Sequence, residues 1–204
     1  MGRIFDRIKE DGEGRNILNE IGTASLRLSG IVDSLLRMTR IESGRYRLEP
    51  VWCDVDELID SARQQVGDLL ANYRVCVSVP EDMPSIRVEP DFVEQALVNL
   101  LSNAAVYSSP ETEIKVAAHM DGPHLILRVM DEGPGLSQEM ACRAFEKFYR
   151  GPNAPPGGIG LGLSIVRGLT QALGGEVAAE NNPERGAAFT LRIPVETRKI
   201  MESI

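Results

Sequence analysis

Two asparagines lie one helical turn apart in the stretch Asn99-Leu-Leu-Ser-Asn103. Residues four positions apart share one face of a helix, so the two amides are expected to lie side by side. The apolar neighbours are expected to face the core: Leu97, Leu100, Leu101 and Ala104. An amide carbonyl is a competent ligand for Mg²⁺, which takes few protein ligands when phosphates supply the rest. The alternative is a pair of exposed asparagines near a helix end.

An aspartate with two glycines follows an apolar run, in Asp131-Glu-Gly-Pro-Gly135. A carboxylate at this place could accept a hydrogen bond from the exocyclic amine of a purine. Gly133 and Gly135 would let the backbone approach the base closely, because they carry no Cβ. The alternative is an ordinary turn after a strand.

A glycine-rich stretch, Gly157-Gly-Ile-Gly-Leu-Gly-Leu163, leads into a predicted helix. Free backbone N–H groups at a helix start bind phosphate, and the helix dipole favours the negative charge. The stretch lacks the Gly-Lys-Ser/Thr ending of a P-loop and the preceding strand of a dinucleotide-binding turn. It could therefore also be a flexible loop before a helix. In this order, and separated by a predicted strand pair, the three elements together predict a site for ATP and magnesium.

The composition limits the class of protein. The chain has 204 residues, is 43% hydrophobic and has a formal charge of −8. The negative charge argues against a nucleic-acid-binding surface, and it means that local positive groups and a cation must meet an anionic ligand. The widely spaced Cys53, Cys76 and Cys142 indicate reduced thiols in the cytoplasm. No apolar run reaches the roughly 18 residues of a membrane helix, so we expect membrane contact only through segments upstream of this sequence, with a parent protein at the inner membrane.

A heptad pattern predicts a long helix from Asn16 to about residue 43. The apolar positions recur at alternating steps of four and three: Ile17, Ile21, Ala24, Leu28, Ile31, Leu35 and Met38. Such a seam packs against partner helices. We therefore expect residues 1–45 to be a partial helical dimerisation segment, although a helix lying on its own domain would show a similar pattern.

Residues 46–198 are predicted to form an α/β sandwich, a mixed sheet with helices on one face. The predicted strands are 46–53, 75–79, 86–88, 113–120, 125–130, 177–180 and 188–193, and the predicted helices are 54–71, 91–108 and 160–173. Asp54-Val-Asp-Glu57 resembles a capping box at a helix start. Asp121-Gly122 predicts a hairpin turn, because this pair suits two-residue loops between strands.

Four segments in series resemble the N, G1, F and G2 boxes of sensor histidine kinases, which have the Bergerat (GHKL) ATP-binding fold: Asn99–Asn103, Asp131–Gly135, Phe145-Glu-Lys-Phe148 and Gly158–Leu163. The likeness covers about residues 50–195. Met38-Thr-Arg-Ile-Glu-Ser-Gly44 resembles the end of the second helix of their dimerisation hairpin. Lys147-Phe-Tyr-Arg-Gly-Pro152 and Asn103-Ala-Ala-Val-Tyr107 are similar to the Kdp-type potassium-sensor kinases.

The resemblance implies roles for particular residues. Asn103 would coordinate Mg²⁺, with Asn99 assisting or orienting the phosphates. Asp131 would bind the adenine amino group, and residues 150–160 would form the ATP lid. The residues it places at the nucleotide are Asn99, Asn103, Tyr107, Asp131, Gly133, Gly135, Lys147, Arg150, Gly158, Gly160, Leu161, Gly162 and Leu163. For Lys147 and Arg150, a solvated surface charge is the alternative.

Two departures from the family pattern leave the function open. Many members carry a lysine where this chain has Val106, and the acceptor box with its histidine is absent. The histidines present, His119 and His124, flank the predicted hairpin and are expected to be partly exposed strand-end residues. The first interpretation is the catalytic part of a kinase that passes the γ-phosphoryl group to a histidine outside this sequence and then to a response regulator. The alternatives are a GHKL ATPase and a regulatory scaffold that binds nucleotide without transferring phosphate.

Overall fold

The computed structural model describes residues 48–152, 154–155 and 158–198. In chain order the elements are β1 (Val51–Cys53), α1 (Val55–Val66), a short 3₁₀ helix (Gly67–Leu70), β2 (Arg74–Ser78), β3 (Ser85–Val88), α2 (Pro90–Tyr107), β4 (Glu113–Asp121), β5 (His124–Met130), α3 (Gln138–Arg143), α4 (Gly162–Ala172), β6 (Glu176–Asn181), β7 (Ala187–Pro194) and β8 (Glu196–Arg198). No helix in these ranges is both long and apolar enough to cross a membrane.

A five-stranded mixed sheet runs in the order β2-β4-β5-β7-β6. Strands β2 and β4 are parallel, and the other neighbours are antiparallel. The β4–β5 register pairs Asp121 with His124, so the expected hairpin is present, but its two-residue loop is Gly122-Pro123, one residue later than the predicted pair Asp121-Gly122. Gly122 has a φ of +58°, a conformation that glycine adopts without penalty. A separate three-stranded sheet has the order β1-β3-β8.

Helices α2 and α4 cover one face of the large sheet, and α1 packs against α2. On β4 the buried residues alternate as Ile114, Val116 and Ala118, which is the pattern of a strand with one covered face. Helix α2 contacts both β4 and β5, and it packs between α1 and α4. Its apolar residues recur every three or four positions and are almost fully buried: Phe92, Val93, Ala96, Leu97, Leu100, Leu101, Ala104 and Ala105. This core fixes α2, and with it both asparagines.

The predicted α/β sandwich is confirmed, with differences at several ends. The first strand is only Val51–Cys53, and the last helix begins at Gly162 rather than Gly160. Two elements, α3 and β8, were not predicted from the sequence. The long N-terminal helix and the boundary near residue 45 lie outside the described residues and stay predictions.

The capping-box prediction at the start of α1 is wrong. Asp54 is the residue before the helix, but its side chain makes no capping hydrogen bond. Its Oδ1 instead accepts a hydrogen bond from Ser85 Oγ at 2.6 Å. The Asp54 carboxylate therefore binds a hydroxyl of strand β3, instead of the backbone N–H groups at the start of α1 that the local sequence predicted.

Candidate functional site

A cleft of about 290 Å³ lies between the end of α2, the segment after β5, α3 and the start of α4. Six of the residues predicted for a nucleotide line it: Asn103, Tyr107, Asp131, Gly135, Arg150 and Leu163. Lining residues that were not predicted as contacts include Leu136, Met140, Tyr149, Ala187 and Phe189. Residues predicted from four separate segments therefore meet in one cleft.

Asp131 is held at the cleft by two backbone donors. Its Oδ1 accepts hydrogen bonds from Gly133 N at 2.8 Å and from Ala187 N at 3.1 Å. The side chain is 5% exposed, and burial raises its pKa while the two N–H groups act in the opposite direction. Because Oδ1 is occupied, the second oxygen is the acceptor left for a ligand.

Gly186 allows Asp131 to take this position, and sequence reasoning missed it. A Cβ built on Gly186 would lie 1.9 Å from the Asp131 carbonyl oxygen and 2.8 Å from its Oδ1. Gly186 also has a φ of +85°, in the left-handed region that favours glycine. The close approach brings β7 against the end of β5, where Asp131 N donates to Ala187 O at 2.9 Å.

The two asparagines converge on the start of α4. A Cβ built on Gly162 would lie 3.4 Å from Asn99 Oδ1 and 3.7 Å from Asn103 Oδ1. Asn99 Nδ2 donates to Gln95 O at 2.8 Å, which directs its oxygen away from its own helix. Within the described ranges, no group of three or more His, Cys, Asp or Glu side chains could hold a metal. A cation here would therefore need amide oxygens together with oxygens of the ligand.

The base of the segment 150–160 is closed by backbone contacts. Phe148 N donates to Gly160 O at 2.8 Å, and Phe148 has a φ of +64°. A Cβ on Gly160 would lie 2.7 Å from Tyr149 O. The two ends of this loop can therefore approach each other this closely only with glycine at position 160. Arg150 donates to the carbonyl oxygens of Ala154 and Pro155, which directs its guanidinium towards this part of the loop.

Asn181 at the end of β6 binds the backbone of Leu136, which lines the cleft, and this role was not predicted from the sequence. Its Oδ1 accepts from Leu136 N at 2.6 Å, and its Nδ2 donates to Leu136 O at 2.9 Å. A Cβ on Gly135 would lie 2.8 Å from this same Oδ1. Gly135 thus lines the cleft, and its lack of a side chain also leaves room for Asn181 of β6.

Three further predicted residues, Lys147, Gly158 and Leu161, are not in the lining of the cleft. Lys147 and Gly158 are exposed, and Leu161 is buried at 4% exposure directly before α4. Val106 of α2 is 47% exposed and uncharged, so its side chain supplies no cation there. His119 is exposed on β4, and His124 opens β5 with its Nδ1 2.9 Å from Arg192 Nη2.

The chain resembles proteins of one family. Residues 88–197 match the family described as histidine kinase-, DNA gyrase B- and HSP90-like ATPases. The sensor protein KdpD of Escherichia coli (strain K12) is 38% identical over 186 residues, which are 90% of this chain and 21% of that protein. The chain thus spans about a fifth of the length of this relative.

Two solved structures share the fold. Full-length ShkA, determined in complex with AMPPNP, matches with a TM-score of 0.77 at 24% identity, over 93% of this chain and 40% of that one. The mycobacterial sensor histidine kinase MprB matches with a TM-score of 0.66 at 28% identity, over 74% of this chain and 100% of that one.

Proposed function

Because the chain belongs to the family of histidine kinase-, DNA gyrase B- and HSP90-like ATPases, we propose that it binds Mg-ATP in the cleft and delivers the γ-phosphoryl group to a histidine. It is an ATP-binding catalytic domain of the two-component sensor histidine kinase type. The acceptor histidine would lie outside this sequence, on the first helix of a dimeric helical hairpin. A response regulator would then receive the phosphoryl group on an aspartate.

The observation that carries this proposal is the meeting of Asp131, Asn103 and the start of α4 around one cleft. Asp131 offers an acceptor to the exocyclic amine of adenine. The first N–H groups of α4 have no partners within the helix and suit phosphate oxygens. One end of the cleft therefore suits the base, and the other suits the charged chain of a nucleotide.

Asn103 and Asn99 offer oxygen ligands that suit a magnesium ion, but two amides are too few to hold it. Both side-chain amides lie beside Gly162, and amide oxygens are suitable ligands for this cation. Two neutral ligands do not hold magnesium by themselves, so the phosphates of ATP would complete the site. When bound, the ion would neutralise charge on the phosphates.

The residues of the chain would act by placing the nucleotide. Phosphoryl transfer needs the attacking and leaving oxygens in line, and most of the acceleration comes from orientation and charge stabilisation. Asp131 would fix the base, Tyr107 would flank it, and α4 would orient the phosphates. Asn99 carries an amide and cannot remove a proton from water, so hydrolysis by this domain alone is not expected to be efficient.

Phosphotransfer to a separate helical hairpin tests the proposal. The full chain would be mixed with radiolabelled Mg-ATP and a hairpin that carries the acceptor histidine of a relative. We expect acid-labile phosphate on the hairpin and none on the chain alone. ATP binding without any transfer would favour the scaffold, and a steady hydrolysis rate abolished by Asn99→Ala would favour an ATPase.

We propose that Arg150 supplies the positive charge for the ATP phosphates, because Val106 stands where many family members carry a lysine. It lines the cleft at the first position of the lid, and its present acceptors are loop carbonyls that a phosphate could replace. Arg150→Ala is expected to weaken ATP binding about tenfold, because a charge-assisted contact to phosphate is lost. Calorimetry would measure this, with Arg63→Ala on α1 as the control. Unchanged affinity in Arg150→Ala would reject the role.

A further inference from the structure

Arg143 on α3 lies over the ring of Tyr149. The Arg143 Cζ is 4.3 Å from the ring centroid. The same guanidinium is 2.9 Å from Glu139 Oε1 through Nη1 and 3.0 Å from Glu146 Oε2 through Nε. A planar guanidinium can pair with two carboxylates while it stacks on an aromatic face, which an ammonium group cannot do as well. Arg143 is thus held by the carboxylates in the position that covers Tyr149.

We propose that Arg143 is a positioning residue for the nucleotide, which acts by holding the Tyr149 ring in the wall of the cleft. The inference deepens the proposed function and rests on it for the identity of the ligand. Tyr149 lines the cleft, and Arg150 and the lid follow it directly. The orientation of this ring therefore sets both part of the binding surface and the base of the lid.

The backbone around Tyr149 is fixed, but its ring depends on neighbouring side chains. Phe148 N bonds to Gly160 O, and Tyr149 N donates to Glu146 O at 3.3 Å. These hydrogen bonds anchor the main chain and involve no atom of the ring. Arg143 is the group that covers one face of the ring, so removing it would release the ring without unfolding the loop.

Stability is not the expected contribution of this cluster. The Arg143 side chain is 45% exposed, and its carboxylate partners are 70% and 53% exposed. Exposed ion pairs add little to the free energy of folding, because water screens them. We therefore expect a change at Arg143 to alter the position of Tyr149 and the affinity for nucleotide, with the melting temperature almost unchanged.

A tryptophan at position 149 would report on the ring. Trp52 is the single tryptophan of the chain, so Trp52→Phe with Tyr149→Trp leaves one fluorophore, in the cleft wall. Acrylamide quenching would measure its accessibility without nucleotide, and a titration with Mg-ATP would measure affinity. Arg143→Gln, Arg143→Lys and the control Arg63→Gln would be compared in this background. Arg63 also pairs with an exposed acid one helical turn away, Asp60, but lies on α1.

With Arg143→Gln we expect about twofold stronger quenching and about three- to tenfold weaker ATP binding, because the ring loses its cationic cover. Arg143→Lys should restore part of both, and Arg63→Gln should change neither. Equal quenching in Arg143→Gln and its parent would overturn the proposal, as would altered quenching with unaltered affinity. If the unsubstituted chain itself bound no ATP, the proposed function would fail, while the quenching series would still decide whether Arg143 holds the ring. Glu139→Gln with Glu146→Gln, which frees Arg143 without removing it, should act in the same direction as Arg143→Gln.

Discussion

The Asp131→Asn substitution is expected to weaken ATP binding about 30- to 150-fold, or by about 2–3 kcal/mol. Oδ1 of Asp131 accepts from two backbone N–H groups, which leaves the second oxygen for the adenine amine. An amide can keep only one of these two acceptors. If its oxygen stays on the backbone side, its NH₂ group faces the amine of the base, and if it flips, NH₂ faces Gly133 N and Ala187 N. Either orientation sets donor against donor in a site that is almost closed to water.

Calorimetry with Mg-ATP would measure this loss, with Asp121→Asn as a control at an exposed aspartate of the β4–β5 turn. Because burial raises the pKa of Asp131, the unsubstituted chain should also lose affinity on acidification at a higher pH than an ordinary aspartate would cause. The loss follows from protonation, which removes the negative acceptor, and Asp131→Asn should lack that dependence. Binding by Asp131→Asn within about threefold of the unsubstituted chain would contradict a base contact through this carboxylate.

Gly186→Ala is expected to lower the free energy of unfolding by about 3 kcal/mol or more and to abolish measurable ATP binding. The new Cβ would overlap the Asp131 carbonyl oxygen and meet its Oδ1, so either β7 or the end of β5 must move. Any such movement separates Asp131 from Ala187 N, one of the two donors that orient the carboxylate. Gly186→Ala is therefore expected to lower stability and ATP affinity together.

Gly122→Ala provides a matched control. Gly122 also has a positive φ, but a Cβ built there meets nothing within 4 Å. Backbone strain alone should lower the free energy of unfolding by about 1 kcal/mol and leave ATP affinity unchanged. Urea unfolding of both variants would measure the difference. A cost as small at Gly186 as at Gly122 would show that β7 does not need this close approach.

The local pattern of apolar and turn residues was sufficient to predict the helix and the hairpin that carry the predicted contacts. Helix α2 could be predicted because its apolar positions recur with helical spacing, and the β4–β5 hairpin because a turn pair separates two apolar strands. Both signals lie within short stretches of sequence, so they depend little on the rest of the fold. The motif resemblance then supplied roles that spacing could not, such as the acceptor role of Asp131.

Contacts between distant segments could not be predicted in this way. Asp131 meets Ala187 across 56 positions of sequence, and Leu136 meets Asn181 across 45. Neither Gly186 nor Asn181 belongs to a pattern that indicates a site, because their importance arises only when β7 and β6 join the sheet. Asp54 failed as a helix cap for a similar reason, since a serine from another strand competes for its carboxylate.

Calorimetric titration of the full chain with ATP and magnesium tests the nucleotide site most directly. We expect heat that saturates at one nucleotide per chain, and far weaker binding of GTP, which carries a carbonyl oxygen where adenine has its amine. No heat with adenine nucleotides, from a chain whose circular dichroism and melting show that it is folded, would contradict the site and every role assigned around it.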